Sequence, residues 1–335
     1  MNVVVLGELC EDILMHNPNS VEVFEQKIWA KDVTVTAGGS AVYVSQALSR
    51  MGVDVRLCAV VGDDESGKRM LRDLQAFPVD CSMVRMLPNS DTTRSIVICD
   101  GPEKDFKGCS PMLPLYIPDI EDLGGAELLY VAGYVLYPEL WTAEARDLLK
   151  KAKERGITVA LDVQMFPVEG IDQLEFSHLE GVLPYVDIFF AARKEMLGLL
   201  KTEDPASCMK LLQEMGFRGT AVFKQGGKGC VVATGGELVR RPGCTVEAYD
   251  TVGSGDIFGA SYCYGAMSGW DSRRCADYAA VFTALSIGEY HNVKNYPAKE
   301  AVEAVLSTIL CQTVRERHKN DDILLKRKNI AGIIH

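Results

Sequence analysis

The sequence predicts an α/β fold: a central, mostly parallel sheet covered by helices on both faces, with a small β-sheet lid. Short apolar runs of strand length alternate with amphipathic stretches of helix length along most of the chain, as a sheet buried on both faces requires. Two segments interrupt that alternation with β-rich runs separated only by turn residues. The length, 335 residues, at about 150 per domain gives roughly two domains, or one large domain carrying an insertion.

Strands are expected at Val3 to Leu6, Val55 to Val60, Leu128 to Ala132, Thr158 to Asp162, Ile188 to Ala191, Thr220 to Lys224 and Cys230 to Ala233. Between them, Ser40 is expected to cap a helix running to Arg50, in which Ala41, Val44, Leu48 and Met51 recur at spacings of three and four and share one buried face. Ala143 to Arg155, Pro205 to Met215, Gly255 to Met267 and Lys299 to Leu310 read in the same way. The interrupting segments, 13–36 and 92–109, hold β-rich runs at Val33 to Thr36 and Ser95 to Cys99, with turns at Asn17-Pro18-Asn19 and Asp100-Gly101-Pro102. They suit a small antiparallel sheet acting as lid or dimer clasp, and ordinary surface hairpins fit the pattern equally well. The expected organisation is a main domain of 1–12, 37–91 and 110–312, a lid of 13–36 and 92–109, and a basic tail of 313–335, read as a solvated helix.

Net charge is −11, a sign that opposes binding to nucleic acid or to an anionic membrane surface. No apolar run approaches a membrane span or a secretory signal. Eleven cysteines show no Cys-x-x-Cys spacing and mostly lie in apolar runs, where a thiol behaves as a small hydrophobe; a reduced, cytoplasmic protein is expected. The five histidines are scattered without metal-ligand spacing.

The most informative segment is Asp250-Thr251-Val252-Gly253-Ser254-Gly255-Asp256, followed by small and apolar residues that can form a buried helix. Glycines at a helix start let an anion approach the free N–H groups of the first turn, toward which the helix dipole directs partial positive charge. A carboxylate at Asp256 beside a bound phosphate costs repulsion unless it has a task such as accepting a proton, and a base beside a phosphate pocket points to phosphoryl transfer. The structural alternative is an acid that stabilises the helix start. Gly62 to Arg69 approaches a P-loop but ends in Arg instead of Ser or Thr and carries three acids, so it reads as a structural turn. Gly253-Ser254-Gly255 with the third glycine displaced to Gly259 is a weak dinucleotide fingerprint.

Together with Gly38-Gly39, and with Gly7-Glu8 followed by Asp12, this segment resembles the ribokinase-like PfkB family of ATP-dependent carbohydrate kinases, from the first strand to about residue 310. The resemblance implies that Asp256 takes the proton from the attacking sugar hydroxyl while the amides of Gly253, Ser254, Gly255 and Asp256 stabilise the transferred phosphoryl group. It implies that Asp12 binds substrate hydroxyls and that Gly38-Gly39 is where backbone meets sugar and the lid hinges. ATP is expected along Lys224-Gln225-Gly226-Gly227-Lys228-Gly229, with Lys224, Gly226 and Gly229 on the phosphate side and Ala284, Ile287, His291 and Asn295 around adenine. Glu195 corresponds to the acid of the family's Asn-x-x-Glu element, which organises Mg²⁺ through water.

Three departures bear on these roles. Tyr43 stands where many members have Asn, Ala192 replaces the Asn of Asn-x-x-Glu, and His291 stands where the family often has Gly near a monovalent-cation loop. Tyr43 as a flank for a base suggests a nucleoside kinase as one alternative; with Ala192 it suggests a non-catalytic sugar- or nucleotide-binding regulator as another. Arg94, in the lid strand, is a candidate to meet an anionic substrate. An exposed lid edge allows a homodimer through the β lid, since an unpaired edge invites pairing or cover, while the sequence does not fix the oligomeric state.

Overall fold

A computed structural model describes residues 1–18, 29–100, 103–110, 112–164, 177–288 and 295–308. Its strands are β1 (Asn2–Gly7), β2 (Cys10–Pro18), β3 (Ala30–Gly38), β4 (Asp54–Gly62), β5 (Val79–Asp80), β6 (Val84–Leu87) and β7 (Arg94–Asp100). They continue as β8 (Glu103–Cys109), β9 (Leu128–Ala132), β10 (Thr158–Asp162), β11 (Ile188–Ala192), β12 (Thr220–Lys224), β13 (Cys230–Thr234) and β14 (Glu237–Arg241). The α-helices are α1 (Ser40–Arg50), α2 (Glu65–Leu74), α3 (Ala143–Glu154), α4 (Ser177–Glu180), α5 (Arg193–Leu200), α6 (Pro205–Glu214), α7 (Ser254–Met267) and α8 (Ser272–Ile287). Residues 299–308 are also helical.

The larger sheet runs in the order β14-β13-β12-β11-β10-β9-β1-β4-β5, with β6 beside β4. Its pairs from β12 to β5 are parallel, and only β13 and β14 are antiparallel. Successive side chains of a strand point to opposite faces, and the core divides accordingly. Val3 and Val5 pack with Leu48 of α1, Ile257 of α7 and Phe282 of α8, while Val4 and Leu6 pack with Leu148 of α3, Met196 of α5 and Leu212 of α6. All seven expected strands form, with ends moved by at most two residues. The strands not anticipated, β5, β6 and β14, are short or carry several charged residues.

The chain leaves β1 to build the lid, returns through α1 to β4 on one side, and later continues at β9 on the other. Such a reversal of strand order opens a crevice at the carboxyl ends of the strands, where open α/β sheets bind ligands.

The second sheet has the order β3-β2-β7-β8. Its outer pairs are antiparallel, but β2 and β7 run parallel, so the sheet is mixed instead of wholly antiparallel. The reason is that its two halves come from separate excursions of the chain. Buried Glu11 on β2 joins this sheet to α2: it accepts a hydrogen bond from Ser66 Oγ (3.0 Å) and pairs with Arg69 and Arg94.

Two local expectations are corrected. Gly39, not Ser40, occupies the cap position of α1, and no side chain bonds there; Ser40 is the first helical residue. The P-loop lookalike is more than a turn, because Asp64 caps α2 by accepting from Gly67 N (2.8 Å). An acid is favoured at that end by the helix dipole, which accounts for the acidic run. The nine cysteines whose side chains are described are free, and no described helix is long and apolar enough to cross a membrane. The tail of 313–335 lies outside the described residues.

Phe190 is fully buried, with its ring centroid 6.0 Å from that of Tyr130 and 5.7 Å from that of Tyr262. Phe190→Ala is expected to cost about 3–5 kcal/mol, checked as a lowered midpoint in urea denaturation at unchanged slope.

Candidate active site

Helix α7 begins where the chain must reverse into the crevice. Gly253 takes the left-handed conformation (φ 71°) at its cap, and no side chain bonds to the helix start. A Cβ on Gly253 would lie 2.9 Å from the Tyr43 ring, so both the backbone and the available space require glycine. The Ser254 amide donates to the Thr251 carbonyl (3.1 Å), and the Gly255 and Asp256 amides follow it in the first turn, with the dipole behind them.

Asp256 sits in that turn, 5% exposed. Its Oδ1 accepts from Ser40 Oγ of α1 (2.6 Å) and from Gln164 Nε2 beyond β10 (2.6 Å). Burial, and then the charge of Asp162, push its pKa up to about 7 against the pull of the Ser40 bond. A group poised there exchanges protons readily near neutrality.

Lys224, at the end of β12, bonds both carboxylate oxygens of Asp162 (2.9 and 2.6 Å), at the end of β10. Burial opposes its charge, but Asp162, Glu195 and Asp256 offset that and raise its pKa. A Cβ on Gly255 would lie 3.4 Å from Lys224 Nζ, so the ammonium and the α7 start face one small volume. Gly259 allows that approach: a side chain there would collide with the Tyr130 hydroxyl. Glu195 accepts from its own Ala192 amide, closing the start of α5. It is buried, and its charge reaches Lys224.

On the lid side, Asp12 accepts from the Tyr43 hydroxyl and from the Cys10 thiol (3.2 Å). Burial raises its pKa despite both bonds. A Cβ on Gly38 would lie 2.1 Å from Asp12 Oδ2, and one on Gly39 2.7 Å from the Glu8 carbonyl. Burial and the neighbouring Asp12 raise Glu8 to about 7. Tyr43 is buried between the Asp12 carboxylate and Gly253, with its ring committed to packing.

The structure thus brings together Asp256, Gly253, Ser254, Gly255 and Lys224 around the start of α7, and Asp12, Gly38, Gly39 and Tyr43 where the small sheet joins α1. Gly226 and Gly229 lie in the turn between β12 and β13, where Gln225 N donates to the Gly229 carbonyl (2.8 Å). Ala284 and Ile287 lie in the last turns of α8, and the Ile287 carbonyl accepts from Tyr249 N and Asp250 N (2.8 and 3.3 Å). Asn295 lines a cavity of about 1060 Å³ with Gln46, Arg50, Arg72, Phe77 and Tyr296. Arg94 is committed elsewhere: its guanidinium bonds Glu11, Ser66 and Asp64, the last at 2.9 Å. His291 lies outside the described residues.

Sequence reasoning did not single out Ser40, Asp162 or Gln164 for the candidate site, which the structure places around Asp256 and Lys224. Asp162 had a usable signal, an acid at the carboxyl end of an apolar strand. Ser40 was legible only as a helix cap, and Gln164 carries no local signature.

Comparison with known proteins identifies the family and the fold. A model of the pfkB family carbohydrate kinases matches residues 1–299. An ATP-dependent ribose-1-phosphate kinase of Halopiger xanaduensis is 29% identical over 273 residues, covering 81% of this chain and 87% of the relative. Among solved structures, a ribokinase candidate from Agrobacterium tumefaciens superposes with a TM-score of 0.80 at 24% identity, over 92% of this chain and 98% of the other. An E. coli ribokinase II candidate in complex with ATP and Mg²⁺ does so with a TM-score of 0.74 at 19% identity, over 92% and 99%. These structures share the fold, and the family model spans both the lid strands and the α7 start; the chain therefore belongs to the pfkB family of carbohydrate kinases.

Proposed function

We propose that the chain transfers the γ-phosphoryl group of ATP to a hydroxyl of a sugar, sugar acid or polyol, with Asp256 as general base and the α7 amides as the anion hole. The observation that carries this reading is the Asp256 carboxyl: Oδ1 is anchored by Ser40 and Gln164, and its pKa is about 7. With one oxygen held, Oδ2 is the atom that receives the hydroxyl proton as the alcohol oxygen attacks phosphorus. The Gly255 and Asp256 amides, with the Lys224 ammonium, accept the charge spread over the transferred group.

ATP with Mg²⁺ supplies an activated phosphoryl group whose charge is partly neutralised. Lys224, Gly226 and Gly229 line its phosphate side in this reading, and Ala284 and Ile287 its adenine side. Glu195 is the carboxylate assigned to hydrated Mg²⁺ in this reading; its charge acts on Lys224, which supports that assignment, and a hard oxygen donor suits the ion. Asp12 orients the acceptor, and for that its bond from Tyr43 must be shared or exchanged. Because the Tyr43 ring packs on Gly253, it is not offered to stack on a base, which favours a carbohydrate over a nucleoside acceptor. ATP as donor and the free thiols suit a reducing, cytoplasmic setting.

The same reading includes a homodimer through the outer face of the lid. Ile13 pairs with Val35 and Ile96, and Met15 with Val33, on the face away from Asp12. Val33, Val35 and Ile96 are 53%, 40% and 40% exposed, a grouping of apolar side chains that a second copy would cover.

Asp256→Asn is expected to lower kcat by about 10²-fold or more while ATP binding persists; ADP release and nucleotide titration measure the two, and comparable turnover would reject the base. In the wild type, kcat/KM should fall about tenfold per pH unit below 7 and level off above it, because only the ionised carboxylate takes the proton. Val35→Lys should shift a dimer toward monomer in analytical ultracentrifugation.

A further inference from the structure

The register of the small sheet places one unassigned cation over the site. Asp12 and His16 of β2 lie opposite Ser95 and Cys99 of β7, and Cys99 lies opposite Lys104 of β8. Side chains in register on neighbouring strands share a face. This face is the inner one, since its Leu14, Val97 and Cys99 pack with Tyr43 and Val252 of the main domain. Lys104 therefore emerges on the same side as Asp12. Its ammonium donates to the Thr251 carbonyl (2.9 Å), in the loop that leads into α7. Burial lowers its pKa, while Asp256 and Asp250 act in the opposite sense, so the charge lies within electrostatic reach of the general base.

What distinguishes Lys104 is its partner. Lys224 is paired with Asp162 and Arg94 with Glu11 and Asp64, whereas Lys104 forms no ion pair among the described residues and bonds a neutral carbonyl. An ammonium has three donors, and a carbonyl occupies one. The residue taken whole is exposed, while its ammonium end is turned inward, beside Thr251 and within electrostatic reach of Asp256. Lys224 already serves the phosphate side from the floor of the crevice. Lys104 comes from the lid, beside Asp12, where the acceptor is bound.

We propose that Lys104 is a specificity residue that pairs with an anionic group, phosphate or carboxylate, carried by the acceptor sugar, and that the preferred acceptor is therefore anionic. The proposal rests on the kinase reading above. A flexible point charge suits either anion, and a charge-assisted hydrogen bond made to the acceptor alone separates charged from neutral sugars.

The test measures kcat/KM of the full chain with ATP and Mg²⁺ for ribose 1-phosphate, gluconate and ribose, in wild type, Lys104→Gln and Lys104→Arg. The expected result is a wild-type preference for one of the two anions. Lys104→Gln should reduce that preference over ribose by about tenfold or more, through KM of the acceptor, and Lys104→Arg should restore most of it. Ribose 1-phosphate as the favoured acceptor identifies a phosphate ligand, and gluconate a carboxylate. A wild-type preference for ribose, an equal loss on all three acceptors in Lys104→Gln, or a rise confined to KM for ATP would each overturn the proposal while leaving the kinase reading intact. Absence of product from every acceptor, across a wider panel of sugars and polyols, would instead overturn the kinase reading.

Discussion

The site depends on one buried carboxylate held from three directions. Asp256 comes from α7, Ser40 from the first turn of α1, and Gln164 from the chain just beyond β10. Removing a carboxylate from water favours its protonated form, and Asp162 adds like charge nearby. The Ser40 bond and the Lys224 and Lys104 ammoniums act in the other direction. The balance leaves a group that can be charged at neutral pH and is still basic enough to take a proton. A more exposed carboxylate would remain ionised but be a weaker base.

That balance requires close approach, and the small residues supply it. Gly259 allows α7 to come down on Tyr130 and Asp162, Gly253 admits the Tyr43 ring, and Gly38 leaves room for the Asp12–Tyr43 pair. Each of these glycines faces a large side chain from another element, so the cradle is a matched set of absent and present volumes. Tyr43 takes part on both sides: its phenol engages Asp12 and its ring fills the space beside Gly253 at the start of α7.

The lid is tied to the main domain by a polar network at one end and a small apolar contact at the other. Glu11, Ser66, Arg69, Arg94 and Asp64 form the network beside α2, while Leu14, Val97 and Cys99 meet Tyr43 and Val252 nearer the site. Arg94, which by residue type alone was a candidate for substrate charge, instead ties the small sheet to α2, because its strand position directs it toward two carboxylates. Lys104 lies one strand away at the sheet edge and faces the crevice.

The sequence by itself determined the layered α/β fold and the place of the glycine-rich start of α7. Both rest on local patterns: apolar runs of strand length recur with helical periodicity between them, and glycines cluster before a helix start. The same locality explains why Asp256 and Asp12 were legible as candidates. Only the tertiary structure decided what these groups touch. Ser40 resembles a helix cap in the sequence, yet its hydroxyl crosses to an aspartate 216 positions away. The Asp162–Lys224 pair joins the ends of two strands 62 positions apart. The small sheet's mixed topology arises because its two halves come from separate excursions of the chain, one before α1 and one after β6. Periodicity records which face of an element is apolar; pairing between distant polar groups is set by the packing of whole elements, and no short window of sequence contains it.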